Sequence, residues 1–278
     1  MTIQLSDAAK YYRGLPHQKQ AFDNLQNKLT SAIIEEFAEQ YRNGPSLPDV
    51  NPVPPGRPMT SVSIATKKRP PAKTAQDYKD ILKHRLNELG IKLYTGGRNG
   101  FGATIVAVEG VNLDLTPHAD APDKWNDIVM TVLAYPNGKW KIIGPFICTT
   151  EPGKYYTVNP LNPMGAAYVK LDVKHNAIWK PGQHKNQKNC FIQTGGPITV
   201  IRDSNRDGKR GSNEKEQTAY LGINLHHNNG NYNPHSIGKF SAGCLVLPNV
   251  QQHQVLINAA KTAQQNAYSY VPLNGHKL

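Results

Sequence analysis

The sequence predicts an α+β protein: a small N-terminal helical module, a Pro-rich linker, and then a mainly β domain with a few helices. Three observations predict it. Apolar residues recur at helical spacing near the N-terminus and again after Thr74, eight of the 21 prolines crowd between positions 45 and 71, and beyond Gly90 the period turns strand-like around an Asn-Gly turn. The limits that follow are 1–44 for the helical module, 45–73 for the linker and 74–278 for the main domain.

The elements can be taken in order. Ala21, Phe22, Leu25 and Leu29 lie at helical spacing. A second helix begins after Thr30-Ser31, with Glu35 and Glu36 in its first turn, where the helix dipole favours negative charge. It carries Ile33, Ile34, Phe37 and Tyr41 inward and stops at Asn43-Gly44-Pro45. So small a core needs further packing, on the rest of the chain or on a ligand, and a wall-binding role is one such use. Prolines 45, 48, 52, 54, 55, 58, 70 and 71 give a stiff, extended connector. Thr74 then caps a helix whose buried stripe is Tyr78, Ile81, Leu82, Leu86 and Leu89 and whose end is Gly90. Ile128–Tyr135 and Trp140–Ile147 flank Pro136-Asn137-Gly138 and read as a hairpin. Further strands are expected at 167–171, 190–193, 198–202 and 221–225, and a last helix over 250–263. There is no internal repeat.

Composition bounds the function. The chain has 278 residues, 38% hydrophobic and 19% charged, which suits a folded protein with a sizeable core. No apolar run reaches the length of a membrane span. The segment Met1-Thr2-Ile3-Gln4-Leu5-Ser6-Asp7 has neither a basic nor an apolar signal region, so the expectation is a protein that stays cytoplasmic until released, or is virion-associated. A net charge of +12 favours anionic partners, such as nucleic acid, a membrane face or an acidic wall polymer. Much of that excess lies between Arg57 and Arg98, a stretch without the interleaved aromatics of a single-strand binding platform. Nucleic acid therefore rests on charge alone and is not the expected partner. Of three cysteines, Cys148, Cys190 and Cys244, at least one must be free, and no C-x-x-C pair suggests a zinc ribbon.

The residues that carry chemistry lie in Leu221-Gly222-Ile223-Asn224-Leu225-His226 and in Ser241-Ala242-Gly243-Cys244-Leu245-Val246. Thiol acyl transfer needs a thiolate, a base to make it and donors for the oxyanion. A glycine before the nucleophile permits a tight turn and brings backbone amides close. An imidazole beside the thiol is expected to lower its pKa from about 8.5 and hold an ion pair. Cys244 is thus the candidate nucleophile and His226 its base, while Cys148 and Cys190 read as buried small hydrophobes.

This stretch resembles the active site of the L,D-transpeptidase family, in which a histidine is followed some fifteen residues later by Ser/Thr-x-Gly-Cys. Thr149-Thr150-Glu151-Pro152-Gly153 and Lys124-Trp125-Asn126-Asp127 also resemble a phage and bacterial branch of it. The resemblance covers roughly residues 100 to 260. It implies a β-rich catalytic sandwich acting on peptidoglycan stem peptides, with Cys244 as nucleophile, His226 as base and Gly243 with the Cys244 amide at the oxyanion. Ser241 would shape the corner and support the histidine. No cofactor is required for such catalysis. Two positions depart from the family: Ala242, where many members have histidine or lysine, and Val246, where many have arginine. The segment Tyr11–Gln18 resembles helical segments of some cyanobacterial and phage wall proteins, and a phage lysin or virion-associated enzyme fits the charge.

Other side chains are candidates for contact with substrate. His227 would point to the opposite strand face from His226, so only one of the two can meet the thiol. His235 lies in an expected lid loop of Asn, Gly and Pro, and His184 could face the cleft from Pro181-Gly182-Gln183-His184-Lys185. Separately, Asp203, Asn205, Asp207, Gly208 and Glu214 fit the oxygen-ligand spacing of a calcium loop, with Arg210 where an aliphatic residue is usual. The same residues suit a polar turn, so a structural Ca2+ and a metal-free turn both remain open. The main expectation is an enzyme acting on peptidoglycan; the alternative is a non-catalytic wall-binding or virion structural protein that keeps the fold.

Overall fold

The computed structural model describes residues 75–119, 121–211, 214–228 and 236–278. The helical module expected over 1–44, the linker over 45–73 and the capping Thr74 lie outside the described residues. The rest is a mainly β structure with few helices, in agreement with the α+β expectation.

Helix α1 spans Ala75–Glu88 and ends at Gly90, whose φ of +64° costs a glycine little. The expected stripe is inward: Tyr78, Leu82 and Leu86 are buried, and Ile81 and Leu89 pack half-covered beside them. Arg85 fixes the helix to the sheet side through Asp172 at 2.9 Å.

The strands are β1 Gly102–Glu109, β2 Asp127–Ala134, β3 Trp140–Cys148, β4 Ala166–Val169, β5 His175–His184, β6 Gln187–Ile192, β7 Ile198–Asp203, β8 Glu216–Ala219, β9 Leu225–His227, β10 Leu245–Leu247 and β11 Tyr268–Asn274. Helices α2, Lys154–Val158, and α3, Val250–Lys261, complete the set with a final 3-10 turn. Eight strands form one sheet in the order β10-β9-β6-β5-β11-β1-β2-β3, and β4-β7-β8 form a second. The expected hairpin is β2–β3, with Ala134 opposite Trp140 and Gly138 at φ +79° in the turn.

The central strands are buried on both faces. From β1, Ala103, Ile105 and Ala107 join the core under α3, whereas Val106 and Val108 join the core under α1. Strand β2 divides likewise, Val129 and Leu133 on one side and Ile128, Met130 and Val132 on the other. A helix on each face explains why these strands are almost continuously apolar.

The strand expected over 221–225 is corrected by the structure. Only Leu225 belongs to β9, and Gly222 turns the chain at φ +73°. The Gln193 side chain replaces a neighbouring strand here, its Oε1 accepting from Leu221 N and Ile223 N, both at 2.9 Å. The alternation of Leu221, Ile223 and Leu225 reflects burial without a ladder.

The two edges of the large sheet meet at the candidate site. Thr149, directly after β3, exchanges hydrogen bonds with Val246 of β10 at 2.9 and 3.1 Å. Thr150 is anchored by Asp127, which accepts from its amide at 2.7 Å and its hydroxyl at 2.8 Å. Glu109 accepts from the same hydroxyl at 3.0 Å and is gripped by Arg210, the nearer Nη2 bond being 2.7 Å. This buried network holds the segment against which the cysteine strand is laid.

Candidate active site

Cys244 stands at the start of β10, after a corner made by Ser241 and Gly243. Gly243 has φ +119°, and a Cβ there would lie 2.4 Å from the Ala167 carbonyl oxygen. Only glycine fits so close an approach of two backbones. Ser241 is wholly buried; its hydroxyl donates to the Cys244 carbonyl at 2.8 Å and accepts from Gly243 N at 3.1 Å. The serine therefore shapes the corner as expected. Among the described residues its hydroxyl has no bond to a histidine, so the expected support of His226 is absent.

The Gly243 amide is committed to Ser241, whereas the Cys244 amide has no acceptor among the described residues. That leaves the Cys244 N–H as the donor free to meet an oxyanion. Around the corner, Asp123 accepts from Lys154 N at 2.8 Å and Gly238 N at 2.7 Å, and Trp125 packs on Phe240 with ring centres 6.3 Å apart. The segments 123–127 and 149–154 thus frame the cysteine corner.

His226 lies on β9, which runs parallel to β10 with His226 opposite Val246. Its Nδ1 faces the His227 carbonyl at 2.8 Å. A carbonyl can only accept, so Nδ1 carries the proton and Nε2 keeps the lone pair a base needs. His227 does point away from His226: its ring meets His253 of α3 at 5.0 Å, and its Nδ1 bonds the Asn228 carbonyl. His184 is brought in, its ring stacked on His226 at 4.1 Å with 11° between planes. His235 lies outside the described residues.

The expected ion pair is corrected. Among the described residues the Cys244 sulfur has hydrogen-bond contacts to Asn224 N at 3.4 Å and Gly222 O at 3.6 Å, and none to His226. Burial pushes the Cys244 thiol up to about 11, opposed by the Asn224 amide and by the charge of Lys185. Burial pulls His226 down to about 3, helped by His184, with the His227 carbonyl opposing. Burial favours the neutral form of both groups, so the charges must appear as reaction proceeds.

Sequence reasoning missed Asn224, although its parity with His226 on an extended chain places both on one face. Its Oδ1 accepts from Gln193 N at 2.8 Å, its Nδ2 meets His184 Nδ1 at 3.0 Å, and its amide meets the sulfur. Also missed was His253, fully buried on α3 with no hydrogen-bond partner at either ring nitrogen among the described residues. Cys148 and Cys190 are wholly buried, as expected of small hydrophobes. Val246 is wholly buried too; Leu245 and Leu247 of β10 join the core cluster, and alternation along the strand puts Val246 on the opposite face, with Cys244.

In the loop 203–214, Asp203 accepts from Asp207 N and Gly208 N, both at 3.1 Å. Glu214 accepts from Ser204 N at 2.9 Å and Gly211 N at 2.7 Å, and Asn205 from Asp207 N at 3.1 Å. Burial raises the Asp203 carboxyl, and the nearby Glu214 and Asp207 add to the rise. Arg210 is no aliphatic substitute: it leaves the loop for Glu109. Among the described residues no three His, Cys, Asp or Glu side chains are set to hold a metal ion, and no helix is long and apolar enough to cross a membrane.

Comparison with protein-family models, curated proteins and solved structures returns no match to this chain.

Proposed function

We propose that the chain is a cysteine-dependent acyl-transfer enzyme of the L,D-transpeptidase kind, acting on peptidoglycan stem peptides. The observation that carries the proposal is the parallel register of β9 and β10, which sets His226 opposite Val246, two residues along from Cys244 and its glycine corner. In the reaction, His226 Nε2 takes the Cys244 proton as the sulfur attacks an amide carbonyl. The Cys244 amide faces the oxyanion that forms. The imidazolium then gives its proton to the departing amine, leaving a thioester on Cys244 that water or a second amine resolves. A thiol that rests neutral is protected from adventitious oxidation until substrate approaches. Incubation with defined muropeptides, with products read by mass, tests this: cleaved or exchanged stem peptides are expected, and unchanged muropeptides contradict it.

A non-catalytic wall-binding role is the second reading, favoured by the high pKa of the resting thiol. A setting in a phage lysin or virion particle follows from the same resemblance and the basic charge.

The loop from Asp203 to Glu214 is proposed to take a structural calcium ion. Its support is the oxygen donor set of Asp203, Asn205, Asp207 and Glu214 and the mutual crowding of its carboxylates, which a cation would relieve. At a hundredfold excess over Kd, calcium should stabilise the fold by roughly 2.7 kcal/mol, a rise of about 5–10 °C in melting temperature. Asp207→Asn should blunt that rise, and chelation should leave the thiol chemistry intact. A melting curve indifferent to calcium and chelator makes the loop a polar turn.

A further inference from the structure

A side chain that has no place in the mechanism above lies against the candidate base. His184 ends β5 at the tip of the β5–β6 hairpin and is half-buried, with Lys185 exposed beside it. Its orientation is fixed from behind. Gln193 N donates to Asn224 Oδ1, so the Asn224 amide must turn its Nδ2 donor toward His184. His184 Nδ1 therefore accepts, and the neutral ring carries its proton on Nε2. Among the described residues that Nε2–H has no acceptor.

The ring so oriented lies flat on His226, centre to centre 4.1 Å and 11° from parallel. Two imidazolium rings cannot share that contact, whereas a neutral ring can lie against an imidazolium with its π face toward the charge. The groups that face His184 are Asn224 and His226 from the cysteine side and Lys185 on its own turn; Cys190 of β6 has its thiol near the His184 backbone. Lys185 is the one cation in that set, and it opposes a second charge on His184.

We infer that His184 is a positioning residue of the thiol site: Asn224 holds it neutral as the Nε2–H tautomer, and its ring face braces His226 and supports the imidazolium formed when the thiol proton is taken. This rests on the reading of His226 as the base of Cys244. It adds an aromatic support on a hairpin far from both residues in sequence.

Alkylation of Cys244 by iodoacetamide tests it without any peptidoglycan substrate. The thiol proton goes to His226, the sulfur–carbon bond forms and iodide leaves. Peptide mapping separates Cys244 from the wholly buried Cys148 and Cys190. Rates would be followed from pH 5 to 10 in the full chain and in His226→Ala, His184→Leu and His184→Phe. Leucine fills the space without a π face, and phenylalanine keeps the face without nitrogens. His184→Leu is expected to react about tenfold more slowly at pH 7, with the midpoint of its profile moved about one unit upward. His184→Phe should stay within about threefold of the unchanged protein. A His184→Leu profile that superimposes on the unchanged one overturns the inference, as does a His184→Phe variant as slow as His184→Leu. If His226→Ala alkylates at the unchanged rate, the base assignment fails and the inference with it. A slow His226→Ala beside an unaffected His184→Leu sinks the inference alone.

Discussion

Replacing Cys244 by alanine is expected to lower muropeptide turnover by on the order of 10⁴-fold or more, down to background, while the melting temperature moves by only a few degrees. The thiol is 8% exposed and its contacts are an amide, a carbonyl and its own corner, so alanine removes the nucleophile and little packing. The His226→Ala variant should lose about 10²- to 10⁴-fold, the range of a general base. Cys148→Ala and Cys190→Ala should keep activity, since both thiols are buried and, among the described residues, neither contacts Cys244 or His226. Their cost should appear in stability, roughly 1–2 kcal/mol for each small cavity. Turnover by Cys244→Ala at the unchanged rate would remove the thiol from the chemistry altogether.

Acid should begin to destabilise the protein above the pH at which its carboxylates titrate. His226 is 4% exposed and His253 fully buried, and burial is the main cause that pulls each down to about 3. For His253 the neighbouring His227 adds to the depression; the Leu225 carbonyl pulls the other way, but its approach is too poor for a hydrogen bond. Both groups therefore have folded-state pKa values below the ordinary 6.5 of the unfolded chain. Between about pH 3 and 6.5 the unfolded state binds more protons, so stability rises with pH across that window and is lost as pH falls through it. Each histidine contributes about 1.4 kcal/mol per pH unit, and going from pH 7 to pH 5 should cost roughly 4 kcal/mol for the pair. Urea unfolding at the two pH values measures it. His253→Leu should remove about half of the difference and cost little at pH 7, because neither ring nitrogen is bonded among the described residues. A stability equal at pH 5 and pH 7 would mean that these rings are hydrated or paired.

Elements with one exposed face were legible in the sequence. Helix α1 shows its stripe from Tyr78 to Leu89 because its other side meets water, and the β2–β3 hairpin is announced by Asn137-Gly138. Strands β1 and β11 show no alternation because helices or sheet cover both faces, and β5 is disguised by Pro181 and Gly182 at its end. The site was legible where its chemistry is local: Ser241, Gly243 and Cys244 are contiguous, and their corner follows from the glycine. It was illegible where the partners come from other elements. Nothing near His226 in sequence announces the ring of His184 or the empty nitrogens of His253. The expected ion pair failed for a related reason. Sequence shows that an imidazole and a thiol are close along the chain, whereas the burial that keeps both neutral comes from the elements packed around them, with His184 adding to the depression of His226. The strand expected over 221–225 failed because the Gln193 side chain supplies the hydrogen bonds that alternation seemed to ask of a neighbouring strand.

The central claim is that Cys244 takes an acyl group from a peptide. Intact-protein mass spectrometry after brief exposure to a defined muropeptide tests it most directly, with quenching in acid and peptide mapping. The account predicts an adduct of the acyl donor's mass on Cys244 alone, labile to hydroxylamine as a thioester must be, and absent from Cys244→Ala. Binding of the muropeptide with no covalent adduct, or an adduct on Cys148 or Cys190 in place of Cys244, would contradict it.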